Sequence, residues 1–225
     1  TGSAATPCHS LPHVPRATVT CPGGFLSLQI FAVRHLDVTG KGNKPGAPAG
    51  VVSLREGSEW RKPAPVTSKN SPPSGDGFAH EAFHDVGTLA RIDSFSIPQP
   101  GLIRIECTGM KRFRIARREK LKHGLWIADV TQLESDLAVG IPPDLQKTAD
   151  ALGKLIQSLQ GREARADHMP LQAPYRLDDC GWIANRWCEL LPMPLALKQR
   201  LMELDNPLLR LELVCDILER TGISL

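Results

Sequence analysis

Five residues near the middle of the chain, His80-Glu81-Ala82-Phe83-His84, spell H-E-x-x-H. On a helix that spacing presents two imidazoles to one Zn²⁺ while the glutamate activates a water, which is the chemistry of a zinc hydrolase. The surroundings argue against it. The string lies between a Pro/Gly/Ser-rich stretch and a strand-like run from Val86, with room for about one helical turn and no third ligand at metzincin spacing. It is therefore read as coincidence, with Phe83 packing on the strands and both histidines exposed. A hydrolase at His80, Glu81 and His84 is the least favoured reading.

A second constellation is basic. Lys111, Arg112, Arg114, Arg117, Arg118, Lys120 and Lys122 fall in one strand-like run, 111–122, with Glu119 as its acid. Arg112, Arg114, Arg117 and Lys120 are its candidate anion or nucleic-acid patch: phosphate contacts would supply affinity to an RNA and aromatic stacking would supply base recognition. Alternation turns Phe113 inward, which leaves the outward face without an aromatic, so a solvated strand that discourages edge pairing is preferred. Net charge is +3, from 27 basic and 24 acidic residues, too balanced to imply nucleic-acid binding by itself. The cysteines (Cys8, Cys21, Cys107, Cys180, Cys188, Cys215) include no C-x-x-C pair and are expected to be buried free thiols, not zinc ligands. No P-loop, G-x-S-x-G elbow or dinucleotide fingerprint occurs, so no cofactor is implied and P-loop ATP hydrolysis is excluded.

The elements that must carry these residues divide at Ile141-Pro142-Pro143. Residues 1–10 read as an irregular leader. Residues 11–140 are β-rich: strand-like runs after Pro22-Gly23-Gly24, at Val51 to Leu54, around Val86, at Leu102 to Ile115 and at Trp126 to Val130 occur with no long helix between them, which favours a small antiparallel or mixed barrel. Residues 62–77, with four prolines among Ser, Gly and Asn, cannot bury enough apolar surface to offset their ordering entropy and are expected to be mobile. Alternation along the fourth run places Ile103, Ile105 and Cys107 on one face and, by the same rule continued past Gly109, turns Phe113 and Ile115 inward and Arg112 and Arg114 outward.

Residues 141–225 read as helical. Leu145, Ala149, Leu152, Ile156 and Leu159 recur at helical spacing up to Gly161. Asp178 or Asp179 can cap a helix carrying Trp182, Ile183, Trp187 and Leu190, which Pro192 ends; a short helix follows between Pro194 and Leu204. The last has Asn206 as N-cap, Pro207 at the first position and Gly222 beyond its end. Asp205, Arg210 and Glu212 are read as surface ion-pair partners of little consequence. No run approaches the roughly eighteen apolar residues of a membrane span and no secretory signal is seen, so a cytoplasmic location is expected.

The stretch Val86 to Ile115, VGTLARIDSFSIPQPGLIRIECTGMKRFRI, resembles the N-terminal domain of Lon proteases, where V-G-T-x-A-R-I, a loop, a strand leading to a glycine, and R-F-R-I follow in the same order. The family's opening pattern is kept at Leu11-Pro12, Pro15, Pro22-Gly23, Leu28-Gln29-Ile30-Phe31 and Arg34, and departs at His13-Val14, Thr20-Cys21, Ala32 and His35. NPLLRLELVCDIL resembles the family's final helices, so the likeness runs from Leu11 to about Leu218, most closely to stand-alone bacterial members. The resemblance implies an α+β fold, with an N-terminal PUA-like β-barrel lobe followed by a C-terminal helical bundle lobe. It also implies a non-catalytic polypeptide-binding or adaptor protein, because Lon's ATPase and Ser-Lys peptidase lie in other domains; the route would be an apolar groove between the lobes or an exposed strand edge. The matched residues Gly87, Thr88, Arg91, Gly109, Phe113 and Arg114 then have structural roles. An RNA-binding module using the 111–122 strand is the alternative.

Overall fold

The computed structural model describes residues 7–30, 48–56, 82–121, 126–162, 169–223 and 225. The Pro/Ser/Gly-rich segment 62–77 lies outside them, as do His80, Glu81 and Lys122. Two compact units emerge: residues 1–20 with 26–134, and residues 21–25 with 135–225. The second unit thus takes in the Cys21–Phe25 turn, far upstream in sequence.

The first unit holds six strands among the described residues: β1 (Pro7–Arg16), β2 (Phe25–Ile30), β3 (Pro48–Glu56), β4 (Ala82–Gln99), β5 (Leu102–Lys120) and β6 (Trp126–Gln132). Their order is β2-β5-β4-β3-β1-β6, and β6 also pairs with β5. All registers given by the paired residues are antiparallel except β1 with β3, which run parallel. β1 begins pairing at Pro7, opposite Thr131, and at Cys8, opposite Val130. Residues 7–10 therefore belong to the sheet and not to an irregular leader, because β6 offers their backbone a ladder. His84 stands in β4 and is half-buried, not exposed as expected, and Ala82–His84 is strand and not part of a helix.

Apolar side chains lie on both faces. Leu11, Val52, Leu89, Phe113, Ile115, Ala128 and Val130 form one core, with Trp126 packed against it. Leu26, Leu28, Val51, Ala90, Ile92, Ile105 and Cys107 form another. Neighbours in sequence, Val51 and Val52 or Leu89 and Ala90, are divided between the two, as strand alternation requires of a sheet covered on both sides.

This arrangement corrects the outward placement of Arg112. Thr88 pairs with Arg112 but Ala90 pairs with Gly109, so two steps along β4 match three along β5. The extra residue is a β-bulge, and it moves every later side chain of β5 to the opposite face. Ile105 and Cys107 consequently belong to one core, Phe113 and Ile115 to the other, and Arg112 shares the face of Thr88 and Ala90. Arg112 is 4% exposed. Thr88, fully buried beside it, donates its hydroxyl to the Thr20 carbonyl at 2.6 Å, so the chain at Thr20 covers this face.

The second unit has four α-helices among its described residues: α1 (Gln146–Arg162), entered through a 3₁₀ turn at Pro143–Leu145, α2 (Cys180–Leu190), α3 (Leu195–Glu203) and α4 (Pro207–Arg220). Leu152, Ile183, Leu211, Val214 and Leu218 are buried completely, and the expected α1 face of Leu145, Ala149, Leu152 and Ile156 is buried with Leu159 half-exposed at its end. Asn206 caps α4, its Oδ1 accepting from the Leu208 and Leu209 amides at 3.0 and 3.1 Å. Asp179 stands at the N-cap of α2 without capping it; its carboxylate instead accepts from the Val139 amide and pairs with Arg176. Trp182 and Trp187 are both buried, and the Trp187 indole N–H donates to the Thr148 carbonyl at 3.0 Å, tying α2 to α1.

Candidate functional site

The motif glycine Gly87 shows what the Val86–Ile115 signature positions. A Cβ there would stand 2.4 Å from the Val51 carbonyl oxygen and 2.7 Å from the Phe113 ring, so β3, β4 and β5 close on a backbone that only glycine permits. Phe113 is wholly buried against it, and Gly109 is buried opposite Ala90 at the bulge. These residues hold an arm formed by the far halves of β4 and β5.

The arm ends in a two-residue turn, Pro100-Gly101, between the paired Gln99 and Leu102. Gly101 has φ of 82°, the value a type II turn demands after a proline. Among the described residues β3 pairs with β4 only as far as Arg91, so β4 beyond that point has a paired neighbour on one side alone. A second bulge, where Ile92 faces Cys107 but Ser94 faces Glu106, sets Phe95 opposite Ile105 on the face of the second core. That apolar face continues into solvent: Ile103 is half-buried, Phe95 is 40% exposed and Ile97, two residues on, is 63% exposed. The opposite face is polar, with Ser94 donating to Glu106 at 3.0 Å. At the base of the arm Arg91 and Thr108 both hold the Asp93 carboxylate. An exposed apolar ledge on this arm can take up apolar side chains of a partner; its described residues carry no acid–base or nucleophilic pair.

The basic strand is laid out differently from the expected patch. Ile115 pairs with Val130 but Arg117 pairs with Asp129, a further bulge that separates the cations. Arg114 and Arg117 share the face of Thr131 and Asp129, whereas Arg118 and Lys120 share the face of Ala128 and Trp126, and Arg112 is buried. Lys120 lies over the Trp126 ring with its Nζ 5.7 Å from the centroid. Arg118 pairs with Asp85 at 2.6 Å, and His9 approaches Asp129 at 3.5 Å. The hollow here, lined by Arg117, Arg118, Glu119, Ile127, Ala128 and Asp129, mixes both signs of charge. Among the described residues no group of three or more His, Cys, Asp or Glu side chains is arranged to hold a metal.

The helical unit contains charged residues that the sequence reading missed. Arg210 is 1% exposed, forks onto Asp136 at 2.6 and 3.2 Å, and donates to the Asn185 side chain and to the Leu201 and Leu204 carbonyls. It is a buried junction and not a surface ion pair. Its signal was present: Arg210 falls in the same helical stripe as Pro207, Leu211, Val214 and Leu218, all buried. Arg186, also 1% exposed, pairs with Glu189 at 3.0 Å, lies over the Trp182 ring and donates to the Pro22 carbonyl at 2.8 Å. Burial pushes the Glu189 carboxyl above its usual range, with Arg186 opposing.

Comparison with known proteins places this geometry. No curated protein sequence matches the chain. The Lon N-terminal domain protein of Xanthomonas campestris, known from its crystal structure, aligns with a TM-score of 0.66 over 93% of this chain and 98% of its own, at 23% identity. The N-terminal domain of the Mycobacterium avium complex Lon protease aligns with a TM-score of 0.53 over 96% of this chain and 100% of its own, at 16% identity. At such identities the likeness is one of fold. Residues 11–220 match the family model of the ATP-dependent protease La (LON) substrate-binding domain, and the chain belongs to that family.

Proposed function

We propose that the protein is a non-catalytic polypeptide-binding module of the Lon N-terminal type, working in the cytoplasm, and that the β4–β5 arm is its docking surface. The observation that carries the reading is the apolar ledge of Phe95 and Ile97, continuous with a buried core face yet largely solvent-exposed. Large apolar side chains standing together at a surface mark interaction sites more often than isolated ones do. Among the described residues β4 past Arg91 is paired on one side alone, which supports an extended peptide as the bound form, since backbone donors and acceptors there can add a strand. Pairing of β5 with both β4 and β6 supports reading the first unit as the PUA-like β-barrel of this family.

RNA binding through the 111–122 strand is the weaker reading, because the register divides Arg114 and Arg117 from Arg118 and Lys120 and buries Arg112. Fluorescence anisotropy with reduced, carboxymethylated α-lactalbumin as an unfolded probe tests the proposal. Replacing both ledge residues, Phe95→Ser with Ile97→Ser, should weaken binding about tenfold or more, or about 1.4 kcal/mol, while leaving the unfolding midpoint unchanged. Unaltered affinity in that variant rejects the arm as the site. Binding of single-stranded RNA that collapses with salt and with Arg114→Glu plus Arg117→Glu would favour the alternative.

A further inference from the structure

The helical unit brings two cysteines together from opposite ends of the sequence. Cys21 lies in the turn that joins this unit from upstream, and Cys188 lies in α2. The two side chains interact directly, and the Cys188 thiol donates to the Lys198 carbonyl at 3.6 Å. The backbone around them is pinned from both sides. The Cys21 amide donates to Glu189 Oε1 at 3.1 Å, Arg186 Nη2 donates to the Pro22 carbonyl at 2.8 Å, and the Gly24 amide closes the turn on the Cys21 carbonyl at 3.0 Å. Both thiols are buried, at 0% and 1% exposure, beneath a turn whose Gly23 is exposed and whose Pro22 is half-buried.

We propose that Cys21 and Cys188 form a redox-modification site, in which a small peroxide oxidant converts the dithiol to a disulfide that ties the Pro22–Gly24 turn to α2. The proposal is independent of polypeptide binding. Cys188 is the attacking sulfur once it releases the proton it donates to the Lys198 carbonyl: Cys21 holds its thiol below the ordinary range, aided by the Lys198 and Arg210 cations and opposed by burial and by Glu189. Cys21, pushed up by its interaction with Cys188 and by burial, stays protonated until it resolves the intermediate. The Cys188 thiolate attacks one peroxide oxygen and the O–O bond breaks, giving a sulfenic acid and a hydroxide that takes up a proton to become water. The Cys21 sulfur then loses its proton and attacks the sulfenic sulfur; the S–O bond breaks and a second water leaves. In sum, two thiols and one hydrogen peroxide become a disulfide and two waters, with the sulfurs oxidised and the peroxide reduced. Hydrogen peroxide is small and uncharged, which suits a buried pair beside a turn whose Gly23 is exposed.

The test treats the reduced full chain with hydrogen peroxide in native buffer, blocks remaining thiols with iodoacetamide in denaturant, and maps the digest by mass spectrometry. The expected result is a Cys21–Cys188 cross-linked peptide lighter by two hydrogens, abolished by dithiothreitol and absent from Cys188→Ser. In Cys21→Ser, dimedone should trap the Cys188 sulfenic acid. Recovery of both cysteines as alkylated thiols, cross-links to other cysteines instead, or a Cys21–Cys188 link that appears only when peroxide is added in denaturant each overturns the proposal. Mapping of the unmutated chain decides the matter even if a serine variant fails to fold.

Discussion

Two ion pairs of the sheet unit lie at the surface: Arg118 and Asp85 meet at 2.6 Å with side chains 38% and 60% exposed, and Arg91 and Asp93 at 2.9 Å with 49% and 32%. In the helical unit Arg210 and Arg186 are each 1% exposed and bind carboxylates, a side-chain amide and backbone carbonyls at once. The sheet satisfies its backbone internally through ladders, so its interior can be largely apolar on both faces, with Arg112 a buried exception, and the charges of these pairs can stay in water. The helices leave carbonyls free at their ends, and Arg210 reaches two of these, Leu201 at the end of α3 and Leu204 just beyond it. Arginine is thus solvated in the Arg91 and Arg118 ion pairs of the sheet unit and a buried junction at Arg186 and Arg210 of the helical one.

Removing the junction should have the largest effect. Arg210→Ala leaves Asp136, Asn185 and the α3 carbonyls without their shared donor and should destabilise the helical unit by about 3–5 kcal/mol in urea denaturation. Recovery of most of that loss in Arg210→Met with Asp136→Leu would show that the uncompensated partner, not the missing contact, dominates. In the sheet unit the sensitive point is steric. Gly87→Ala drives a methyl toward the Val51 carbonyl and the Phe113 ring, and should lower stability by about 1–3 kcal/mol through overpacking. Smallest is Arg118→Ala, whose partner Asp85 remains solvated; the unfolding midpoint should change by less than about 0.5 kcal/mol. A change for Arg118→Ala comparable to that for Arg210→Ala would erase the distinction between the two units.

Helix boundaries were legible because their signals are local. The Asn206 cap, Pro207 at the first turn, the i, i+3, i+4 stripe of α1 and the Gly222 beyond α4, with its φ of 72°, all act within a few residues. The strand signals failed where locality fails. Alternation predicts a face correctly only while the register is unbroken, and the bulges near Met110 and Ala116 reversed it along β5, burying Arg112 and dividing the cations. Arg210 was misread for a related reason: a charged residue in an apolar stripe declares burial only when a partner such as Asp136, remote in sequence, is known to reach it. The apolar ledge was hidden as well, since Phe95 and Ile97 look like ordinary strand residues until their exposure is known.

The sequence by itself determined the helices, most of the strands, and its membership of the Lon substrate-binding domain family, because periodicity, caps and the Val86–Ile115 signature are properties of neighbouring residues. Only the tertiary structure decided that the sheet buries both faces, that Cys21 meets Cys188, and which arginines are buried. Each of those depends on register or on contacts between residues far apart in the chain. A shift of one residue in pairing exchanges core for solvent, and no local pattern records it.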